Sequence, residues 1–178
     1  VAASKGIQVV GVDINQGVVD TINRGEIHIV EPELDKLVKN VVEDGNLKAS
    51  LTPEIADAYF IVVPTPFTHN HRADISYVES ATRTVIPYLK EGDLFVIEST
   101  SPVMTTEKMS AVIYKERPEL EGKIYVAYCP ERVLPGNVIY ELEHNDRVIG
   151  GINEASSEKA IEFYSQFVKG KLHMTNAR

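Results

Sequence analysis

A single cysteine in 178 residues, Cys129, excludes an internal disulfide and fits a reducing compartment. Tryptophan is absent, and no apolar run approaches the roughly 20 residues that a helix needs to span a bilayer. Positive charge is scarce. The 18 Lys and Arg face 26 Asp and Glu, a formal net charge of −8, which argues against a nucleic-acid or anionic-membrane surface. No signal-peptide pattern, internal repeat or low-complexity linker is found. What remains is an expected cytoplasmic protein of about one domain, long enough to bury a sizeable core.

Strand and helix signals alternate along the chain. Val1 to Gly6 reads as the last turn of a helix closed by glycine, and Ile7 to Ile14 as a strand with Asp13 at its carboxyl end. Helices are expected over Gln16 to Arg24 and after Pro32, the latter with an apolar stripe of Leu34, Leu37, Val38, Val41 and Val42. Leu47 to Leu51 suits an edge strand, and Thr52-Pro53-Glu54 a single capped helical turn. Ala58 to Val63 is a continuous apolar strand of the kind a parallel sheet buries on both faces, and it ends in Pro64-Thr65-Pro66. His69 and His71 have no further ligands at usual spacings, so they read as solvated and no metal site is expected. Ser76 and Glu79 form a capping box for a helix that faces Val78, Ala81, Val85 and Leu89 inward, with Pro87 bending its later turns.

Further on, Asp93 to Glu98 is a strand running into Ser99-Thr100-Ser101-Pro102 and a helix that reaches about Arg117. Ile124 to Tyr128 is the next strand, stopped by Pro130 and followed by a loop carrying Glu131 and Arg132. Arg147 to Gly151 and Lys171 to Thr175 complete the strands, and Ile161, Tyr164, Phe167 and Val168 mark a helix face between them. The alternation predicts an α/β fold with a doubly wound, Rossmann-like parallel sheet. Asp13, Thr65, Thr100 and Glu131 then share the carboxyl edge, where open α/β sheets bind ligands. An Asp at the position of Asp13 can hold the ribose hydroxyls of a dinucleotide, although turn chemistry places Asp there too. The hydroxyls of 99–101 before a helix suit a phosphate or sugar hydroxyl, or ordinary capping. Residue chemistry alone leads to a nucleotide-binding α/β domain.

Longer motifs carry a more specific resemblance. They are Gly11-Val12-Asp13-Ile14-Asn15, the run Asp20 to Pro32, Val63-Pro64-Thr65-Pro66-Phe67, Glu98-Ser99-Thr100-Ser101-Pro102-Val103, Tyr128 to Gly136, and Asn145-Asp146-Arg147-Val148-Ile149-Gly150-Gly151. In this order they resemble the NAD-binding domain of the UDP-glucose/GDP-mannose dehydrogenase family. The resemblance implies NAD as cofactor and a UDP-sugar substrate whose C6 alcohol is oxidised to a carboxylate in two hydride transfers through a thiol-bound intermediate. UDP-N-acetyl-D-mannosamine is the expected sugar. UDP-glucose or UDP-N-acetylglucosamine, or a non-catalytic nucleotide-binding or interaction module, are the alternatives.

Carried over, Asp13 would hold the adenosine ribose, Thr65 and Thr100 would line the dinucleotide site, and Glu131 would be catalytic, orienting water or assisting proton transfer. Arg132 and Val133 would contact the nucleotide sugar. No arginine directly follows Asp13, which favours NAD over NADP. The resemblance also implies that residues 1–178 are the NAD-binding domain without the family's first strand, Gly-rich turn, linking helix, catalytic lysine, nucleophilic cysteine and C-terminal UDP-binding domain. The parent would form a homodimer or larger assembly. Cys129 is not expected to be the nucleophile, and Pro135 stands where some members carry a second glutamate. With its first strand absent, the strands ending at Asp13 and Thr65 are expected to pair directly or to accept a strand from another molecule.

Overall fold

The computed structural model describes residues 1–29, 31–68 and 73–178, which leaves His69 and His71 outside the described residues. In chain order its elements begin with β1 (Val9–Val12), α1 (Gln16–Asn23), α2 (Leu34–Glu43), β2 (Leu47–Ser50), β3 (Ala58–Ile61), α3 (Ser76–Val85) and β4 (Leu94–Ile97). They continue with α4 (Thr105–Glu116), β5 (Tyr125–Tyr128), α5 (Val138–His144), β6 (Arg147–Gly151), α6 (Glu154–Tyr164) and β7 (Leu172–Asn176). Two compact units result. One contains Val1–Glu54, Arg132–Asn145 and Gln166–Gly170, and the other Ile55–Glu131, Asp146–Ser165 and Lys171–Arg178.

In the first unit β1 and β2 form a parallel pair, Val9 opposite Leu47. The Asn15 side chain caps α1 by accepting the Gly17 amide at 2.8 Å. Val38 and Val41 are the buried face of α2, and Gly45, at φ 74°, turns the chain into β2. The Thr52 turn does not form a helix; its amide instead donates to the Ser50 hydroxyl at 3.2 Å.

The second unit holds a five-stranded sheet in the order β3-β4-β5-β6-β7. All four residues of β4 are buried, as its continuous apolar run requires. One core joins Tyr59, Ile61, Phe95, Ile97 and Val126 of the sheet to Val78 and Val85 of α3 and Met109 and Ile113 of α4. Phe60 packs with Phe163 and Tyr164 of α6, ring centroids 4.9 and 5.9 Å apart. Pro87 does divert α3, which passes into a 3-10 turn over Ile86–Tyr88. The start of α3 differs from the capping-box expectation. Ser76 is already helical, and Asp74 Oδ1 accepts its amide at 2.9 Å, because an acidic residue two positions earlier reaches the first free N–H.

Three further differences concern topology. The sheet is parallel except that β6 runs antiparallel to β5. Helix α5 was not anticipated, since none of its residues is buried and no apolar period marks it. The direct pairing expected of the strands before Asp13 and Thr65 is not among the ladders of the described residues. β1 and β3 belong to different sheets, and apolar content marks a strand without choosing the edge it pairs with.

Candidate functional site

In the first unit Asp13 follows β1 directly and is exposed. Its Oδ1 accepts the Asn15 amide at 2.8 Å, a turn that points the chain into α1. Ile14 beside it is almost wholly exposed, an apolar surface next to a carboxylate at a strand end. Both features fit a ribose and base.

The same unit contains Arg132, exposed, and Val133, half-buried, on the loop that leads to α5. This loop is held by side chains, one of them far away in sequence. Glu31, 9% exposed, accepts the Gly136 amide on Oε2 at 3.0 Å and the Val138 amide on Oε1 at 2.9 Å. Glu141 accepts the Leu134 amide at 2.9 Å, and Asn145 Nδ2 donates to the Arg132 carbonyl at 3.3 Å. A nearly buried carboxylate on two backbone donors is a strong clamp. Glu31→Ala is therefore expected to cost about 2 kcal/mol. Urea denaturation checks the cost, and amide exchange at Gly136 and Val138 should accelerate in the same variant.

In the second unit the loops after β3, β4 and β5 come together. The Thr65 hydroxyl donates to the Thr100 carbonyl at 2.7 Å, and Thr100 itself is exposed. Ser99 accepts the Val63 amide at 2.8 Å, and the Ser101 amide donates to the Tyr128 hydroxyl at 3.1 Å. The Glu131 amide donates to the Glu98 carbonyl at 3.2 Å. Thr65, Thr100 and Glu131 thus occupy one carboxyl edge, as the strand pattern predicts, while Asp13, Arg132 and Val133 belong to the first unit.

Beneath Glu131 lies a polar cluster that sequence reasoning did not assemble. Arg147, 4% exposed, pairs through Nη1 with Glu131 Oε2. Its guanidinium carbon stands 5.8 Å from the centre of the Tyr164 ring, and the Tyr164 hydroxyl donates to Glu98 Oε1. Burial opposes the charge of Arg147, but the Glu131 carboxylate outweighs it and raises the guanidinium further. Burial pushes Tyr164 well up, with Glu98 adding to it. Cys129 is pushed by burial up to about 11, so it stays a thiol near neutral pH and is unsuited to nucleophilic work.

Burial also raises Glu98 above 4.5, against the Tyr164 hydrogen bond and the Arg147 charge. The folded chain then keeps that proton to higher pH than the unfolded chain, so stability falls as pH rises from about 4.5 through the folded value. Glu98→Gln keeps an acceptor for Tyr164 and has no proton to lose. Its stability advantage over the wild type should be larger at pH 8 than at pH 4.5, as read by urea denaturation at both.

The chain matches a family model described as the NAD-binding domain of the UDP-glucose/GDP-mannose dehydrogenase family over residues 1–168. The UDP-N-acetyl-D-mannosamine dehydrogenase of Escherichia coli K12 is 54% identical over 184 residues, which cover 99% of this chain and 44% of that protein. An NDP-N-acetyl-D-galactosaminuronic acid dehydrogenase from Ralstonia nicotianae is 53% identical over 186 residues, with 100% and 44% covered. Among solved structures, a UDP-N-acetyl-mannosamine dehydrogenase from S. aureus superimposes with a TM-score of 0.94 at 40% identity, over 99% of this chain and 44% of that one. The chain therefore spans less than half the length of the curated relatives it matches.

Proposed function

Because the chain belongs to the UDP-glucose/GDP-mannose dehydrogenase family and supplies its NAD-binding domain, we propose that it is the coenzyme-binding part of an NAD-dependent UDP-N-acetyl-D-mannosamine 6-dehydrogenase. The observation that carries this reading is the 54% identity to the E. coli enzyme across 99% of the chain, joined to a carboxyl edge that presents Thr65, Thr100 and Glu131. In this proposal residues 1–178 are the NAD-binding domain, and a linking helix, the catalytic lysine and cysteine, and a UDP-binding domain complete a cytoplasmic protein that assembles as a homodimer or larger.

NAD, when bound, accepts the electrons removed from the sugar C6. Asp13 receives the adenosine ribose hydroxyls, and its exposed carboxylate without a following arginine disfavours a 2′-phosphate. Thr65 and Thr100 line the dinucleotide. Arg132 and Val133 contact the nucleotide sugar, on a loop whose path Glu31 sets. Glu131 orients the water that releases the acid, or takes its proton. The nucleophile is a cysteine other than Cys129, because Cys129 is fully buried in the cluster below Glu131.

A competing sugar has a specific observation behind it, since the Ralstonia relative named for N-acetyl-D-galactosaminuronic acid is 53% identical. Initial rates of the full-length protein with NAD decide between them. UDP-N-acetyl-D-mannosamine should exceed UDP-N-acetylgalactosamine, UDP-N-acetylglucosamine and UDP-glucose in kcat/KM by about tenfold or more, within the discrimination that pocket contacts supply. A higher kcat/KM for any of the other three overturns the sugar assignment.

A further inference from the structure

The reversal of β6 has a geometric effect on the carboxyl edge. In its antiparallel register with β5, Tyr128 lies opposite Gly150 and Ala127 opposite Gly151. Extended three residues past the end of β5, that register would set Glu131 opposite Arg147, where opposed residues project to the same side, and the two side chains do form an ion pair. A parallel β6 would carry its first residue to the other edge. The strand direction thus delivers a buried cation to the one carboxylate proposed to act on the sugar.

The cation is itself held from behind. Its amide donates to the Lys171 carbonyl at 2.8 Å, fixing the backbone of Arg147 against the start of β7. The Tyr164 ring supports the guanidinium at 5.8 Å, and Tyr164 is fully buried on α6 with its hydroxyl tied to Glu98. Glu131, by contrast, is about a quarter exposed, so its carboxylate is open enough to meet water and is aimed by the ion pair. A side chain with four rotatable bonds, packed to this degree, has no orientational freedom left to share with its partner.

We infer that Arg147 is a positioning residue, which fixes the direction of the Glu131 carboxylate for water activation or proton transfer and is itself braced by Tyr164 and Glu98. This rests on the role proposed for Glu131. A misdirected carboxylate costs turnover rather than coenzyme affinity, because displacement of a catalytic group by about 1 Å is worth about 10²-fold.

The test is a double-mutant cycle in the full-length protein with Arg147→Met, Glu131→Gln and both together. Arg147→Met should lower kcat about 10²-fold while the KM for NAD stays within about threefold. In the Glu131→Gln background the same substitution should cost no more than about twofold, the scatter expected of independent sites. Arg147→Lys should restore part of the loss in the native background and nothing in the other. If Arg147→Met does not fold, Arg147→Lys is carried through the same cycle, with a loss expected only when Glu131 is present. Equal losses in both backgrounds overturn the inference and leave the dehydrogenase reading standing. A Glu131→Gln protein with normal turnover overturns the role of Glu131 and the inference with it.

Discussion

Gly150→Val is expected to destabilise the five-stranded unit by about 3 kcal/mol or more, with a fall in melting temperature of about 10 °C. A Cβ at Gly150 would stand 2.1 Å from the carbonyl oxygen of Asn176, 2.5 Å from its carbonyl carbon and 3.0 Å from the Ala177 nitrogen. All three are backbone atoms, so no side chain can swing aside. The end of β7 would have to leave β6, taking with it the bond from the Ala177 amide to the Gly151 carbonyl at 3.0 Å. Gly92→Ala is the useful comparison. That residue has φ 90° but nothing within 4 Å of an added Cβ, so its cost is confined to backbone strain of about 1–2 kcal/mol. Thermal melts followed by circular dichroism should separate the two variants clearly. Similar, small shifts for both would mean that β7 does not close over Gly150 as described.

Glu131→Gln is expected to lower turnover of the full-length protein by about 10²–10⁴-fold with little change in NADH affinity. The amide keeps the size of the side chain and an oxygen that can accept from Arg147, so the fold around it should persist. What it loses is the capacity to take a proton. Glu131 lies at the end of β5 with its amide on the Glu98 carbonyl, so its backbone is anchored independently of the side chain. Steady-state rates beside a fluorescence titration with NADH would check both halves. A variant within threefold of the wild type would reduce Glu131 to a structural partner of Arg147.

Much of this site was legible in the residues themselves. The apolar run before Ser99-Thr100 is the fully buried β4, and the polar residues after it do gather at one edge, because strand periodicity and proline or hydroxyl stops encode where each strand ends. The direction of β6 was not legible. Arg-Val-Ile-Gly-Gly marks a strand but carries no signal for its direction in the sheet, so nothing local announces that Arg147 will face Glu131. Glu31 belongs to the run Asp20 to Pro32, but its clamping role was not legible for a related reason. It precedes a proline outside any periodic element, and its partners Gly136 and Val138 lie 105 and 107 residues away. Helix α5 carries apolar residues but buries none, which removes the one signal that sequence periodicity can supply. The carboxyl edge was encoded locally, while the cluster behind it depends on pairing that only the tertiary structure sets.

The central claim is that the protein containing this chain performs a four-electron oxidation of UDP-N-acetyl-D-mannosamine with NAD. The most direct measurement is the amount of NADH formed per sugar consumed, by absorbance at saturating NAD with the full-length protein and limiting UDP-sugar. The account predicts two NADH per sugar and a carboxylate product. One NADH per sugar with an aldehyde product, or no NADH from a folded protein that binds the coenzyme, would contradict it.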